Sequence, residues 1–559
     1  MYHLMQADNK KLATTWYGSF LHDQPQTDGS SRALVEAVIS EQAHSKYNWL
    51  EWIISLMEYS DNKNINYHNI CNNFLFSLFV QYFQNDIIIQ TRILLIQAVI
   101  TWMEKLWSRS PDSADYVRFL SISNGMLGDL YLKLGDLSNA LNKYQISLTN
   151  DEVLCLGNTN SLEFKRDLSI SNSRLGNLYV KLGYDHKALD KYQASLNIAE
   201  ELSRLAPDTE IYKRDLSVDY SQLGDLYLKL GDSPKALDKY QTSLNISEEL
   251  HLRVPDSLEY ASDLTISYNK LGDLFLQLGD SLKALDKYQS SLCIAEELHR
   301  LEPESAYCTR NLSISYDKLG DLYFKLRDSL KALDKYQASL IIREELYRNV
   351  PDSAEYARDL SISYMKMGNL YIRLSDPSKA LDKYQASFII AEKLFNSAPD
   401  SAEYTHDLSL SYNKLGDLYQ ELGDILKALD KYQASLTIAE KLFHHAPDSL
   451  EYAGNLSYIN RELGDLYVKL GDPLKALDKY KASLNTREEL RYRVPNSTQY
   501  ANDLVLGYYT IMDFYHKQGK YSEFLKYAEL CKEALQYIIN NNMYMNESYN
   551  KLLSSLERY

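Results

Sequence analysis

From Tyr260 onward, apolar residues return at every third or fourth position: Tyr260, Leu264, Tyr268, Leu271, Phe275, Leu278. That spacing predicts one buried face of a helix of about 22 residues. Gly279 follows, where a left-handed residue would stop the helix. At its start, Asp256 and Glu259 have the spacing of a capping box, with Asp256 as the expected N-cap. The same Asp-x-x-Glu recurs at Asp352/Glu355, Asp400/Glu403 and Asp448/Glu451. A second helix is predicted from Ala284, Leu285, Tyr288, Leu292, Ala295 and Leu298, capped by Asp280 or Ser281 and ending before Pro303. In Asp376-Pro377 and Asp472-Pro473, proline stands just inside this second start, where its missing N–H is harmless.

The two-helix pattern repeats. A Leu-Gly-Asp-Leu-Tyr motif, with small variations, places its glycine at Gly128, Gly176, Gly224, Gly272, Gly320, Gly368, Gly416 and Gly464, always 48 residues apart. A strict long period predicts stacked copies of one supersecondary unit, each burying its apolar face against the next. Shifting back by 48 residues lands on Val80, with Phe83 and Ile96 at tyrosine positions and Pro111 matching Pro255. Shifting forward reaches Met512, Tyr515 and Gly519. The expected organisation is therefore a helical segment of no matched family at 1–65, a degenerate capping repeat at 66–111, eight repeats at 112–496, and a worn ninth repeat with a cap helix at 497–559. Helical periodicity in the first segment rests on Leu34, Val35, Val38, Ile39, Trp49, Leu50, Trp52, Ile53 and Leu56. Residues 17–31 and 539–547 are polar and read as loops.

Composition narrows the function. A formal charge of −16 over 559 residues argues against general nucleic-acid binding, which needs a basic stripe, and against docking on an anionic membrane. The most apolar stretch, Phe74–Trp107, is interrupted by Asp86, Gln90, Arg92, Gln97 and Glu104, so buried helices are expected rather than a membrane span. No signal peptide is evident in Met1–Trp16. Five scattered cysteines suit buried thiols in a reducing compartment; a cytoplasmic location is the expectation. No phosphate loop, zinc-protease or nucleophile-elbow motif is present, so a non-enzyme without cofactor or metal is expected. His444-His445 reads as an exposed helix end, and Cys293 and Cys308 as packing residues.

The repeated residues resemble the tetratricopeptide repeat. Its first helix carries Leu-Gly-x-x-Tyr, matched by Leu223-Gly224 and Tyr227; its second carries spaced small, aromatic and small residues, matched by Ala236, Tyr240 and Ser243. The pattern holds from Ala140/Tyr144/Ser147 to Ala476/Tyr480/Ser483. The usual unit of the family is shorter, so the likeness is to long-unit arrays such as kinesin light chains and bacterial tandem arrays. The resemblance implies an all-α fold: a right-handed α-solenoid of antiparallel helix pairs with a helical N-terminal cap.

The resemblance also implies that first helices line a concave groove and that ligands touch residues just before and after the Leu-Gly pair. The residue after the glycine is Asp129, Asn177, Asp225, Asp273, Asp321, Asn369, Asp417 and Asp465. Four residues further on stand Lys133, Lys181, Lys229, Gln277, Lys325, Arg373, Glu421 and Lys469. Except beside Gln277 and Glu421, each position can pair with that neighbour on a solvated helix face, or the column can form an acidic groove that attracts a basic segment; both can hold together. Three residues before the glycine the copies differ: Gly125, Ser173, Ser221, Asn269, Asp317, Met365, Asn413 and Arg461. Either separate repeats read separate ligand residues here, or nothing constrains the position. The tyrosine ladders are expected core, with exposed members able to meet ligand cations. The implied function is a scaffold that binds an extended, basic or polar protein segment, with neither nucleic acid nor membrane as partner; self-association is left open. The alternative is a regulatory or sensor subunit of a separately encoded enzyme, contacted through 1–111.

Overall fold

The computed structural model describes residues 89–109, 113–399, 401–447, 449–495, 497–541 and 547–556. The expectations for 1–65, for most of the 66–111 repeat, and for Asp400 and Asp448 as caps lie outside these. The chain divides into two units.

The first unit contains α1 (Ile89–Arg109), α2 (Ala114–Lys133) and α3 (Leu137–Gly157). In α1, Ile93, Ile96, Val99, Ile100 and Met103 are buried, and Gln97 donates to Tyr131 of α2 at 3.0 Å. The described part of the interrupted apolar stretch, from Ile89 onward, is thus a packed helix. No helix among the described residues is long and apolar enough to cross a membrane.

The second unit is a run of helix pairs: α4 (Leu162–Lys181) with α5 (Asp185–Leu205), α6 (Glu210–Lys229) with α7 (Ser233–Arg253), α8 (Leu258–Gln277) with α9 (Ser281–Leu301), and α10 (Ala306–Lys325) with α11 (Ser329–Asn349). It continues through α12 (Ala354–Arg373) and α13 (Pro377–Ser397), α14 (Ala402–Glu421) and α15 (Ile425–His445), and α16 (Leu450–Lys469) and α17 (Pro473–Arg493). A last pair, α18 (Thr498–Lys517) and α19 (Tyr521–Asn540), is followed by α20 (Glu547–Leu556). Within this unit each helix packs on its neighbours along the chain, which makes it an all-α solenoid, and no strand is found among the described residues. At its end, Val505, Ile511, Met512, Phe514, Cys531, Leu535, Ile538 and Leu556 share one core.

Local chemistry sets the helix ends. The N-cap of a first helix is not Asp256 but the serine after it: Ser257 is extended (φ −79°) and its Oγ accepts from the Tyr260 amide at 3.3 Å. Asp256 lies in the preceding turn, one residue too early to reach that amide, and Ser353, Ser401 and Ser449 repeat the arrangement. Second helices are capped by aspartate, as Asp280 accepts from the Lys283 amide at 3.1 Å while the Lys283 ammonium pairs with the same carboxylate. Between the two helices Gly279 takes φ +83°, and the Asp280 amide reaches back to the Phe275 carbonyl at 2.9 Å. That closes a Schellman turn. Arg327 and Ser375 occupy the same left-handed position at φ 62° and 58° without being glycine.

The Leu-Gly glycine has a different task. A Cβ on Gly272 would sit 2.5 Å from the ring of Tyr288. Glycine is therefore required for the first helix to lie flat on the buried tyrosine of the second. Beside this contact, paired serines, such as Ser169 and Ser195 at 2.9 Å, join the two helices through their hydroxyls.

Candidate binding wall on the first helices

The fold brings first helices of successive pairs into mutual contact, as in α8 with α10 and α14 with α16, whereas among the described residues no second helix makes a comparable contact with the next. The first helices thus form the tighter face of the second unit, and side chains bridge it from repeat to repeat. Arg166 grips Asp215, Arg214 grips Asp263, Arg310 grips Asp359 and Arg358 grips Asp407, each at 2.5 Å. Where arginine is replaced by Ser262, its partner position holds Asn311, which donates to Ser262 at 2.7 Å.

The residue after the glycine has an internal role that its sequence pattern did not disclose. Tyr144, Tyr192, Tyr240, Tyr288, Tyr336, Tyr384, Tyr432 and Tyr480 donate their hydroxyls to Asp129, Asn177, Asp225, Asp273, Asp321, Asn369, Asp417 and Asp465, all at 2.6–2.7 Å. Glycine admits the ring and its neighbour receives the hydroxyl, which explains why aspartate and asparagine interchange here: both offer an oxygen. A signal was present in the sequence, in the fixed 15-residue separation of this residue from the second-helix tyrosine.

At Lys229, Lys325 and Arg373 longer links replace the expected pairing with the residue four positions before. Lys229 reaches back to Asp185 at 2.7 Å and to the Val180 carbonyl at 3.0 Å. Lys325 donates to the Leu276 carbonyl, and Arg373 to that of Phe324 while stacking on its ring. The second oxygens of three aspartates instead meet a lysine of the following repeat: Lys270 on Asp225 at 2.5 Å, Lys318 on Asp273 at 2.7 Å, Lys366 on Asp321 at 2.8 Å. The column is therefore a ladder of alternating charge, not a bare carboxylate wall.

The variable column, three residues before the glycine, lies one helical turn away on the same helices. Gly125 is buried. Ser173 donates to Gln222 of the next repeat at 2.7 Å, and Ser221 is half-buried. Met365 packs against the cluster of Ala380, Tyr384 and Leu415. Arg461 pairs with Asp465 at 3.5 Å. Asp317 is buried against Arg343 at 2.8 Å and Lys366 at 3.3 Å. Asn413 donates to Asn455 at 2.8 Å. Asn269, Asp317 and Asn413 share one property: each is at least nine-tenths buried, and one side-chain oxygen of each has no donor.

Several tyrosines considered as cation receptors are already covered by the chain's own lysines: Lys235 over Tyr227, Lys331 over Tyr323 and Lys475 over Tyr467, at 5.2–5.5 Å. Cys308 is buried beside Ala261 and Leu298, whereas Cys293 is exposed. Among the described residues no group of histidine, cysteine and acidic side chains is arranged to hold a metal.

A stack of helix pairs with a continuous side-chain ladder on one face belongs to the class of helical repeat scaffolds. The tetratricopeptide repeat family matches the chain over residues 407–489 and, in a second model of the same description, over 173–206. The chain is a tetratricopeptide-repeat protein. No curated protein matches it. Among solved structures, it is similar to BtubC (BKLC) from P. vanneervenii, at 20% identity over 46% of this chain and 91% of that one, with a TM-score of 0.37. The apo form of RapI is similar at 15% identity over 74% and 99%, TM-score 0.44. The human IFIT1 dimer with m7Gppp-AAAA is similar at 13% identity over 92% and 96%, TM-score 0.38.

Proposed function

We propose that the first-helix wall holds an extended, basic or polar segment of a partner protein. Its contact positions in the second unit would be the two columns around the Leu-Gly pair, from Asn177 to Asp465 and from Ser221 to Arg461. The tetratricopeptide array is in general a non-catalytic protein-interaction scaffold; the wall and the chemistry of its ligand are our reading. The 48-residue unit also leads us to group the chain with long-unit arrays.

The observation that carries this reading is the set of donorless oxygens on Asn269, Asp317 and Asn413. A buried acceptor left unpaired costs about 1–3 kcal/mol. A ligand amide, guanidinium or ammonium would recover that cost. The three stand at one register position on three first helices, so a chain laid along the wall meets them in turn. The acidic excess of −16 favours the approach of basic segments.

The test uses a substitution that the array already tolerates. Changing Asp225, Asp273 and Asp321 together to asparagine keeps an acceptor for each tyrosine, as Asn177 and Asn369 do natively, but removes three negative charges. Affinity for a short arginine- and lysine-containing peptide should fall at least about tenfold, and its salt dependence should flatten. Affinity and salt dependence both unchanged, with helicity intact, would remove the wall from consideration.

A further inference from the structure

One seam of the wall breaks a rule that three others keep. Asp225, Asp273 and Asp321 each hold the lysine that stands two residues before the next glycine. Asp417 lacks that partner, because position 462 is glutamate. A second carboxylate thus stands where three other seams place a cation. Glu462 is only 7% exposed, and burial, with Asp465 and Asp417 nearby, pushes its carboxyl up to about 7.

The cations within reach are already committed. Arg461 contacts the adjacent Glu462 and reaches Asp465 at 3.5 Å. Lys414, which faces the uncharged Asn369 where other seams place an aspartate, turns back to Asp417 at 3.2 Å. Asp417 also accepts the hydroxyls of Tyr432 and Tyr458. Asp417, Glu462 and Asp465 therefore face Lys414 and Arg461, with the exposed Lys469 the weakest charged neighbour of Glu462.

A buried acceptor without a donor lies in the same seam. Asn413 precedes Asp417 by one helical turn and is 3% exposed. Its amide nitrogen donates across to Asn455 of α16, and its Oδ1 meets nothing. Two repeats earlier Lys366 reaches both Asp317 and Asp321, and Asn413, Asp417 and Glu462 hold the same three register positions, which places the open oxygen beside the two acids.

We propose that the α14–α16 seam anchors an arginine side chain of the bound segment, its guanidinium set between Asp417 and Glu462 with one N–H on Asn413 Oδ1. The proposal rests on the wall reading and names its deepest contact. The ligand's cation takes the place of the lysine that other seams supply from within. A guanidinium suits three separated acceptors because its five donors radiate in a plane, whereas an ammonium is a compact point charge.

The test measures fluorescence anisotropy on the full chain with two short labelled Gly-Ser peptides, one carrying a single arginine and the other citrulline, its neutral isostere. The wild-type chain should prefer arginine at least about tenfold. Glu462→Lys, which restores the residue type of Lys270, Lys318 and Lys366, should erase the preference, and the isosteric Glu462→Gln should reduce it. Equal affinity for the two peptides, or a preference that survives Glu462→Lys, overturns the anchor. Weakening by the triple aspartate-to-asparagine change but not by Glu462→Lys leaves the wall standing and refutes the anchor; the reverse pattern supports the anchor alone.

Discussion

Asp219 is a carboxylate where four neighbouring repeats place serine, namely Ser171, Ser267, Ser315 and Ser363. Burial pushes its carboxyl up to about 7, against the stabilising hydrogen bond from Ser195 and with Asp215 adding to the rise. A raised carboxyl favours the folded state at low pH, and that contribution is lost as pH climbs from the ordinary carboxylate range through about 7. Asp219→Ser should therefore leave stability nearly unchanged at pH 4 and raise it at pH 8, by at most about 4 kcal/mol. Thermal melts of both chains across that range check it; parallel curves would contradict the buried charge. Arg327 and Ser375 make a second residue-scale case. Left-handed backbone costs a non-glycine residue roughly 1 kcal/mol, so glycine at either position should stabilise by about that amount, less what the flexible unfolded chain gives back. A lower melting temperature for both variants would contradict the strain.

At the scale of the helix pair, Gly272, Asp273 and Tyr288 act as one joint. Gly272→Ala pushes a methyl into the ring and should cost about 1–3 kcal/mol. Asp273→Asn, which preserves the acceptor, should cost well under 1 kcal/mol, as expected of a change that leaves the hydrogen bond intact. Chemical denaturation of the two variants separates packing from charge. The helices, their glycine stop and their aspartate cap were legible in the sequence because each follows from local spacing. The N-cap serine was misread by one residue because Asp-x-x-Glu mimics a capping box, while only the backbone of Ser257 is extended at the cap position. The tyrosine–aspartate joint was not read, since it spans two helices and depends on a ring orientation that periodicity does not encode. Arg343 is another such case. It stands where Ala199, Ala295, Ala391 and Ala439 recur, and burial against Asp317 and Ser363 could not be anticipated from a position that is elsewhere small.

At the scale of the whole molecule, ladders link first helix to first helix along the second unit, so stability there should pass from repeat to repeat as nearest-neighbour terms. The weakest links follow from the two strained turns: amide exchange should be fastest in the helix pairs that flank Arg327 and Ser375, and slowest exchange there would contradict a solenoid loosened at that point. The columns around the Leu-Gly pair were chosen from sequence, but their charge state was not, because the lysines that neutralise Asp225, Asp273 and Asp321 come from the next repeat. What remains open to a ligand is therefore narrower than a wall of carboxylates: three unpaired oxygens and one seam with an extra acid. The central claim, that this wall binds a basic segment, is tested most directly by the affinity of one arginine-containing peptide for the wild-type chain and for the Asp225, Asp273 and Asp321 to asparagine variant at low and high salt. The account predicts at least about tenfold weaker binding and a flatter salt dependence in the variant; identical affinity at both salt concentrations would contradict it.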